Sequence, residues 1–224
     1  MRISFHTLIC LNGELPGREF FAEHFGAAFR ERGGRIIAAD GAAAALSALD
    51  VRPHVIVGDM DSLAVDHPLA GQTEITVLRS AEQDTNDFEK IFLLSAPQPH
   101  ERVCICGFHG GDLEHTLNNW SVLMRYARHH PLYVYDKGRL AVAVHDRLDV
   151  EVQPEEIISL IPQPHARLST EGLRWSLDNE QLRLGEREGA RNRATAHRVS
   201  ITVHEGAVLV FFDASGSTGS AATA

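Results

Sequence analysis

Short apolar runs alternate with helix-like segments through the first two thirds of the chain. Each apolar run ends at a polar residue or a glycine: residues 3–11, 34–40, 54–59 and 102–111. Between them lie segments whose apolar residues recur at helical spacing: residues 18–34, 41–49, 86–96 and 114–130. Strands that alternate with helices are typical of βαβ units. This part of the chain therefore predicts a mainly parallel sheet covered by helices on both faces.

The pattern changes after about residue 136. Short runs, several of them alternating, follow one another between turn residues: residues 139–146, 147–154, 155–163, 173–179, 180–186, 197–205 and 206–214. They predict an antiparallel β-sandwich, with 206–214 as a candidate edge strand at a subunit interface. We expect an α/β domain over 1–136, a smaller β-sandwich domain over 137–213 and a disordered, small and polar tail over 214–224. Two domains in a short chain favour a site at their junction or at a subunit interface.

Net charge, cysteine positions and the length of the apolar runs exclude several classes of protein. The chain carries 30 acidic and 21 basic residues, a formal net charge of −9, without a long basic stripe, so we expect no nucleic-acid partner. Cys10, Cys104 and Cys106 stand among apolar neighbours, which favours buried free thiols over metal ligands. No apolar run approaches the roughly 20 residues that span a bilayer, and a signal pattern is missing at the N-terminus. We expect a cytoplasmic protein that does not contact membranes.

Acidic residues cluster where the predicted parallel strands end and the next helices begin. They are Asp40, Asp59, Asp61, Asp84, Asp87, Asp112 and Glu114. Parallel strands bring their carboxyl ends to one rim, where ligands bind. Two ionised carboxylates about 4 Å apart repel by about 4 kcal/mol at an effective dielectric of about 20, and a cation between them relieves that repulsion. The cluster predicts a Mg²⁺ site that holds phosphate, while a turn or helix-cap role stays open for each single aspartate.

Two glycine-containing loops are predicted to line the same rim. Residues 107–111 leave a strand and enter a helix, and their glycines allow backbone to approach a ligand closely. Amides at the start of that helix are then able to face phosphate oxygens. Residues 11–17 form the second loop. The first loop lacks the spacing of a Walker A loop or a dinucleotide-binding fingerprint. A tight turn is the alternative for both loops.

Six motifs follow one another in a specific order: AADGAAAAL, RPHVIVGDMDSL, EQDTNDFEK, GFHGGDLEHTLNN, IISLIP and TEGLRWSL. In this order and spacing the chain resembles the thiamine pyrophosphokinase family over nearly its whole length, to about residue 213. The resemblance implies an α/β catalytic domain and a β-sandwich that helps to bind vitamin B1. It implies a homodimer with thiamine at the subunit interface, and Mg²⁺-dependent transfer of pyrophosphate from ATP to the thiamine hydroxyl, giving thiamine diphosphate and AMP.

The resemblance also implies roles for individual residues. The metal and phosphate positions are Asp40, Asp59, Asp61 and Asp87, with Asp61 or Asp87 as the group that accepts the hydroxyl proton. The candidate ATP-binding residues are Asn12, Gly13, Gly110, Gly111, His115 and Asn119. The candidate substrate-binding residues are Gln83, Asp84 and Asn192. Transfer to another heterocyclic alcohol, or binding of thiamine or nucleotide without catalysis, are the alternatives.

Three positions depart from the family pattern. Asn86 stands where a threonine is usual, Asp112 where an arginine is common, and Arg191 where a serine is expected. The candidates to replace the lost arginine are Lys90, Arg79 and Arg18. Either Phe211 or Phe212 is a candidate aromatic against thiamine. Trp175 matches a tryptophan of the family and is expected in the sandwich core, with ligand contact as the alternative.

Overall fold

The computed structural model describes residues 1–60, 74–80, 82 and 84–215. The chain divides into two units. The α/β unit is Phe5–Asp136, and the β unit is Lys137–Ala224 together with Met1–Ser4. Asp61, Gln83 and the part of the predicted tail beyond residue 215 lie outside the described residues.

The described α/β unit contains six strands and five α-helices. The strands are β1 (Thr7–Cys10), β2 (Arg35–Ala39), β3 (Val55–Gly58), β4 (Thr76–Arg79), β5 (Val103–Cys106) and β6 (Leu132–Asp136). The helices are α1 (Arg18–Phe25), α2 (Ala27–Glu31), α3 (Ala43–Ala48), α4 (Asp87–Ser95) and α5 (Leu113–Tyr126), with a 3-10 helix at Asp40–Ala42. Strands β1, β3 and β5 are buried at every position, as expected for apolar runs inside a parallel sheet.

The strand order in the α/β unit is β6-β5-β1-β2-β3-β4, and all of these pairs are parallel. This confirms the predicted parallel sheet. The chain builds from β1 towards β4 on one side and then returns to add β5 and β6 on the other. The order therefore reverses between β1 and β5, where Cys10 and Cys106 are register partners. In open parallel sheets, ligands bind beyond the carboxyl ends of strands at such a reversal.

Local details of the α/β unit differ from the sequence pattern. The helix predicted over 18–34 is interrupted at Gly26, whose backbone is extended between α1 and α2. Strand β4 was not predicted, because it is mostly exposed and presents little apolar periodicity. The three cysteines are free and fully buried, as expected. No helix among the described residues is long and apolar enough to cross a membrane.

The β unit is antiparallel throughout its described strands, which confirms a β-rich domain after the α/β one. The strands are β7 (Arg139–Val144), β8 (Arg147–Glu151), β9 (Ile157–Glu171), β10 (Glu180–Arg183), β11 (Gly189–Arg193) and β12 (Arg198–Asp213). Strand β12 pairs with β7, β8 and β9, and β9 also pairs with β10 and β11. The two long strands β9 and β12 therefore pair with each other, and each shorter strand pairs with one of them.

Three expectations for the β unit are wrong. Residues 197–205 and 206–214 were predicted as separate strands, but β12 is continuous, because Gly206 (φ +78°) takes up the register shift as a bulge. Its second half pairs with both β7 and β9, so it is not an edge strand. Residues 173–179 form no strand beyond a single bridge between Leu173 and Ala194.

Candidate active site

A cleft of about 290 Å³ lies at the carboxyl ends of β1 and β5, and all its lining residues belong to the α/β unit. Its walls come from the segment after β1, the loop after β5 and the first turns of α4 and α5. The predicted site residues that line it are Asn12, Gly13, Asp59, Asp87, Gly110, His115 and Asn119. The reversal of strand order thus brings together residues more than 100 positions apart in the chain.

The two glycine-containing loops are bonded to each other along their backbones. The Gly13 N–H donates to the Gly107 carbonyl at 2.9 Å, and the Glu14 N–H donates to the His109 carbonyl at 2.7 Å. A Cβ on Gly13 would lie 2.0 Å from the His109 carbonyl oxygen. Gly107 has φ +68°, and a Cβ there would lie 2.2 Å from the carbonyl oxygen of Leu11. The glycines are therefore required for the loops to run side by side at the cleft.

Asp40 lies behind the acidic wall of the cleft. Its side chain is almost fully buried, and its two carboxylate oxygens accept hydrogen bonds from the Gly41 and Met60 N–H groups, both at 2.7 Å. Gly58 leaves room for this carboxylate, since a Cβ at Gly58 would lie 2.2 Å from Asp40 Cγ. Asp40 is not among the described residues that line the cleft. Its bond to Met60 holds the backbone directly after Asp59.

Asp87, the first residue of α4, faces the cleft beside a buried lysine. Lys90 is only 3% exposed, and its Nζ lies 3.5 Å from Asp87 Oδ1. Burial raises the pKa of Asp87, the Lys90 charge opposes this, and the Asp59 charge adds to the increase. Burial likewise raises the pKa of Asp40, and the charge of Asp87 raises it further. The three carboxylates therefore repel one another, as the sequence predicted.

The carboxylates that line the cleft fit a hydrated Mg²⁺ ion better than a fully protein-enclosed metal site. Among the described residues, no group of three His, Cys, Asp or Glu side chains could hold a metal by itself. Asp59 and Asp87 nevertheless line the same cleft, and Mg²⁺ usually takes one or two carboxylates, completing its shell with water and substrate phosphate. The acidic wall is therefore compatible with that ion.

Some predicted residues lie elsewhere. Gly111 and Asp84 are exposed and are not among the described residues that line the cleft. The Asp84 N–H donates to the Glu82 carboxylate. Asn192 belongs to the β unit and is buried, with its amide bonded to the backbone of Trp175 and Arg193.

Lys90 is the candidate replacement for the missing arginine that the structure places at the cleft. Arg18 and Arg79 are not among its described lining residues. Thr116 and Asn118 also line the cleft and were not predicted. Their signal in the sequence was the polar first half of α5, directly after the glycine loop.

Aromatic residues of the β unit also depart from expectation. Trp175 was expected in the core but is 59% exposed, so that expectation is wrong. Phe212 is fully buried and packs under the Arg2 guanidinium at 5.6 Å, which leaves it no face for a ligand.

Comparisons with known proteins agree with this architecture. Residues 30–135 match the model "Thiamin pyrophosphokinase, catalytic domain", and residues 146–208 match "Thiamin pyrophosphokinase, vitamin B1 binding domain". Thiamine pyrophosphokinase 1 of Oryza sativa subsp. japonica is 30% identical over 166 residues, 67% of this chain and 62% of that protein. Thiamine pyrophosphokinase 1 of Arabidopsis thaliana is 28% identical over 166 residues, 67% of this chain and 61% of that protein.

A solved structure shows the same fold. The thiamin pyrophosphokinase from Geobacillus thermodenitrificans superposes with a TM-score of 0.77 at 19% identity, covering 95% of this chain and 99% of that one. The chain spans about three fifths of the length of the curated plant relatives it matches.

Fold and cleft define a two-domain protein, an α/β catalytic unit followed by a β-rich unit. The two family models together match about three quarters of its residues. The chain belongs to the thiamine pyrophosphokinase family.

Proposed function

We propose that this protein transfers pyrophosphate from ATP to the hydroxyl of thiamine, giving thiamine diphosphate and AMP. The observation that carries the proposal is that Asp59 and Asp87 share one cleft with the bonded glycine loops, in a chain of this family. Backbone amides in tight loops are suited to phosphate oxygens, and carboxylates are suited to the cation that accompanies them.

The nucleotide is proposed to lie along the glycine loops. Asn12, Gly13, Gly110 and His115 line the cleft on that side. Gly111 is open to solvent at φ +78°, so its proposed contribution is a backbone contact at the rim. The buried Lys90 supplies positive charge at the same cleft, which favours an anionic substrate.

Mg²⁺ is the proposed metal, and Asp59, Asp87 and Asp61 are its proposed ligands. Asp61 follows Asp59 by two residues in the sequence. Asp40 is proposed to support this set from behind, since it fixes the backbone at Met60. Phosphoryl-type transfer depends mainly on positioning and charge neutralisation, and the ion supplies the latter when it is bound.

A carboxylate of the cleft is proposed to accept the proton of the substrate hydroxyl. The hydroxyl oxygen forms a bond to the β-phosphorus, the bond from that phosphorus to the bridging oxygen breaks, and AMP departs with the electron pair. The proton passes to Asp87 or Asp61. Burial raises the pKa of Asp87, whereas a bound Mg²⁺ would lower it, so Asp87 is proposed as the base only if it does not itself coordinate the ion.

The thiamine side rests on family resemblance. Gln83, Asp84 and Asn192 are its proposed residues. The candidate aromatics are the half-buried Phe211 and the exposed Trp175, since Phe212 is fully buried. A homodimer is likewise proposed from the family resemblance. The buried free thiols support a cytoplasmic location.

The test measures AMP release from ATP and Mg²⁺ with and without thiamine, and identifies thiamine diphosphate by mass. We expect thiamine-dependent AMP that disappears with a chelator and returns when Mg²⁺ is added. Asp59→Asn, Asp61→Ala and Asp87→Asn should abolish transfer, with the exposed Glu19→Gln as a matched charge control. Thiamine binding without product would favour a binding protein. Product from another alcohol would indicate a different acceptor, and Arg191, which departs from the family pattern, would be the first residue to revert.

A further inference from the structure

The side-chain amide of Asn119 is bonded to protein at both of its ends. Its oxygen accepts a hydrogen bond from Asn86 Nδ2 at 3.0 Å, and its nitrogen donates to the Phe108 carbonyl at 2.9 Å. Asn119 lies on α5, Asn86 precedes α4, and Phe108 lies in the loop after β5. One side chain therefore connects three separate segments of the cleft wall.

Asn86 has a second bond that extends this connection into α4. It is the N-cap of the helix, and its Oδ1 accepts the Glu89 N–H at 2.9 Å. The next residue is Asp87, so the capping bond fixes the backbone position from which the Asp87 side chain extends into the cleft. An asparagine is suited to both tasks, because its oxygen caps one helix while its nitrogen reaches another.

Phe108 connects the other end to the glycine loops. Its neighbours Gly107 and His109 present the carbonyl groups that accept the Gly13 and Glu14 N–H groups. Phe108 is buried, and its ring packs against Phe88 of α4 and Trp120 of α5 at centroid distances of 6.0 and 4.6 Å. Polar bonds and ring contacts thus join the same three segments.

We propose that Asn119 is a positioning residue that fixes the Asp87 side of the cleft against the glycine loops, through Asn86 and Phe108. This inference deepens the proposed function and rests on it for the identity of the nucleotide. One bond at each end of the Asn119 amide fixes its orientation within the wall before any nucleotide binds. The amide keeps one N–H and one lone pair, so the double-mutant cycle below separates positioning from direct contact with ATP.

The inference is first tested without ligand. Hydrogen exchange of the Gly13 and Glu14 amides reports whether the loops remain bonded. Asn86→Ser retains a capping oxygen but lacks the arm to Asn119, and Asn119→Ala removes the connection from the other side. We expect both variants to accelerate exchange of these two amides, with thermal melting within a few degrees of the wild type. Unchanged exchange in both would overturn the proposal.

A double-mutant cycle of Asn86→Ser and Asn119→Ala then distinguishes a positioning role of Asn119 from direct contact with ATP. It measures Mg²⁺-ATP affinity, kcat and KM. Each single variant should weaken ATP binding about five- to tenfold, and the double variant should be no weaker than the worse single one. Independent effects that multiply would show that Asn119 contacts the ligand itself. Asn118→Ala is the matched control, since Asn118 lines the cleft on the same turn, and its effect should multiply with that of Asn86→Ser.

The two proposals fail in different ways. A wild-type protein that binds Mg²⁺-ATP without making thiamine diphosphate would contradict the proposed function, while the exchange and binding results would still decide the role of Asn119.

Discussion

Asn192 bonds to both backbone groups of Trp175. Its Nδ2 donates to the Trp175 carbonyl at 2.8 Å, and its Oδ1 accepts the Trp175 N–H at 3.2 Å. The asparagine is only 5% exposed, whereas the indole is 59% exposed. A buried amide therefore holds the loop that presents an aromatic ring to solvent, with Arg174 stacked 5.9 Å above the ring.

Asn192→Ala should destabilise the protein by about 2 kcal/mol, because it removes both part-buried hydrogen bonds to the Trp175 backbone and empties a buried position. Trp175→Ala should change the unfolding free energy by less than about 1 kcal/mol, because the ring is largely exposed. Urea unfolding followed by circular dichroism measures both. Equal losses in the two variants would show that Asn192 does not hold the Trp175 loop. Asn192→Asp should lose at least as much as Asn192→Ala, because a buried carboxylate would then face the Trp175 carbonyl.

Arg2 and Glu156 form an almost fully buried ion pair at 2.9 Å in the β unit, with side chains 7% and 3% exposed. Glu156 also accepts the N–H groups of Gln153 and Asp213. Arg2→Ala should cost about 3–5 kcal/mol, because the carboxylate remains buried without its counter-charge.

Arg183→Ala provides the comparison for that pair. Arg183 and Glu186 are 57% and 67% exposed, so their bridge should contribute at most about 1 kcal/mol. Thermal unfolding of the two variants should differ clearly. Similar melting temperatures would mean that the Arg2 pair adds no more than a surface bridge.

Gly13→Ala should abolish tight binding of Mg²⁺-ATP, because its Cβ would lie 2.0 Å from the His109 carbonyl oxygen and force the loops apart. Gly17→Ala is the matched control at the other end of the same loop, where the nearest atom is a flexible Glu19 oxygen at 3.2 Å. Calorimetry should give near wild-type affinity for Gly17→Ala. If Gly13→Ala binds Mg²⁺-ATP as tightly as the wild type does, the glycine loops are not part of the nucleotide site.

His54 should make folding sensitive to mild acid. Burial lowers its pKa, as do the charges of Arg30 and Arg35, and its Nδ1 accepts the Ile36 N–H at 2.9 Å. The unfolded chain therefore takes up the proton at a higher pH than the folded protein does. Its contribution to stability is complete above about pH 6.5 and is lost as the pH falls below that value.

The measurement compares unfolding free energies at pH 8 and pH 5.5. His54→Asn keeps an acceptor for the Ile36 N–H but does not titrate, so it should lose less stability than the wild type over this interval. A loss equal to that of the wild type would assign the acid sensitivity to other groups.

Sequence periodicity was sufficient for the main architecture. Buried apolar runs such as residues 54–59 predict strands of a parallel sheet, and the aspartates that follow them converge because parallel strands end on one edge. This rule places Asp59, which follows β3, whereas Asp87 begins α4 after a strand that the sequence pattern did not predict. The change to short alternating runs after residue 136 likewise indicated a β-rich unit.

The sequence pattern did not predict where one strand continues or how exposed one side chain is. Gly206 resembles a turn in the sequence, yet β9 pairs with β12 on both sides of it, so the strand continues through a bulge. Trp175 resembles a core residue, yet the buried Asn192 bonds to its backbone and its ring is exposed. Neighbours distant in the chain determine both outcomes.

The sequence by itself determined which residue types reach the rim of the sheet, since that depends on local periodicity and on the direction of each strand. Only the tertiary structure decided which of them line the cleft. The placement of β1 beside β5 brings Gly13 to Gly107, the packing at Gly58 sets Asp40 behind the wall, and α4 against α5 lets Asn86 meet Asn119. These contacts join residues far apart in sequence, and their distances depend on strand order and close packing, which local patterns do not encode.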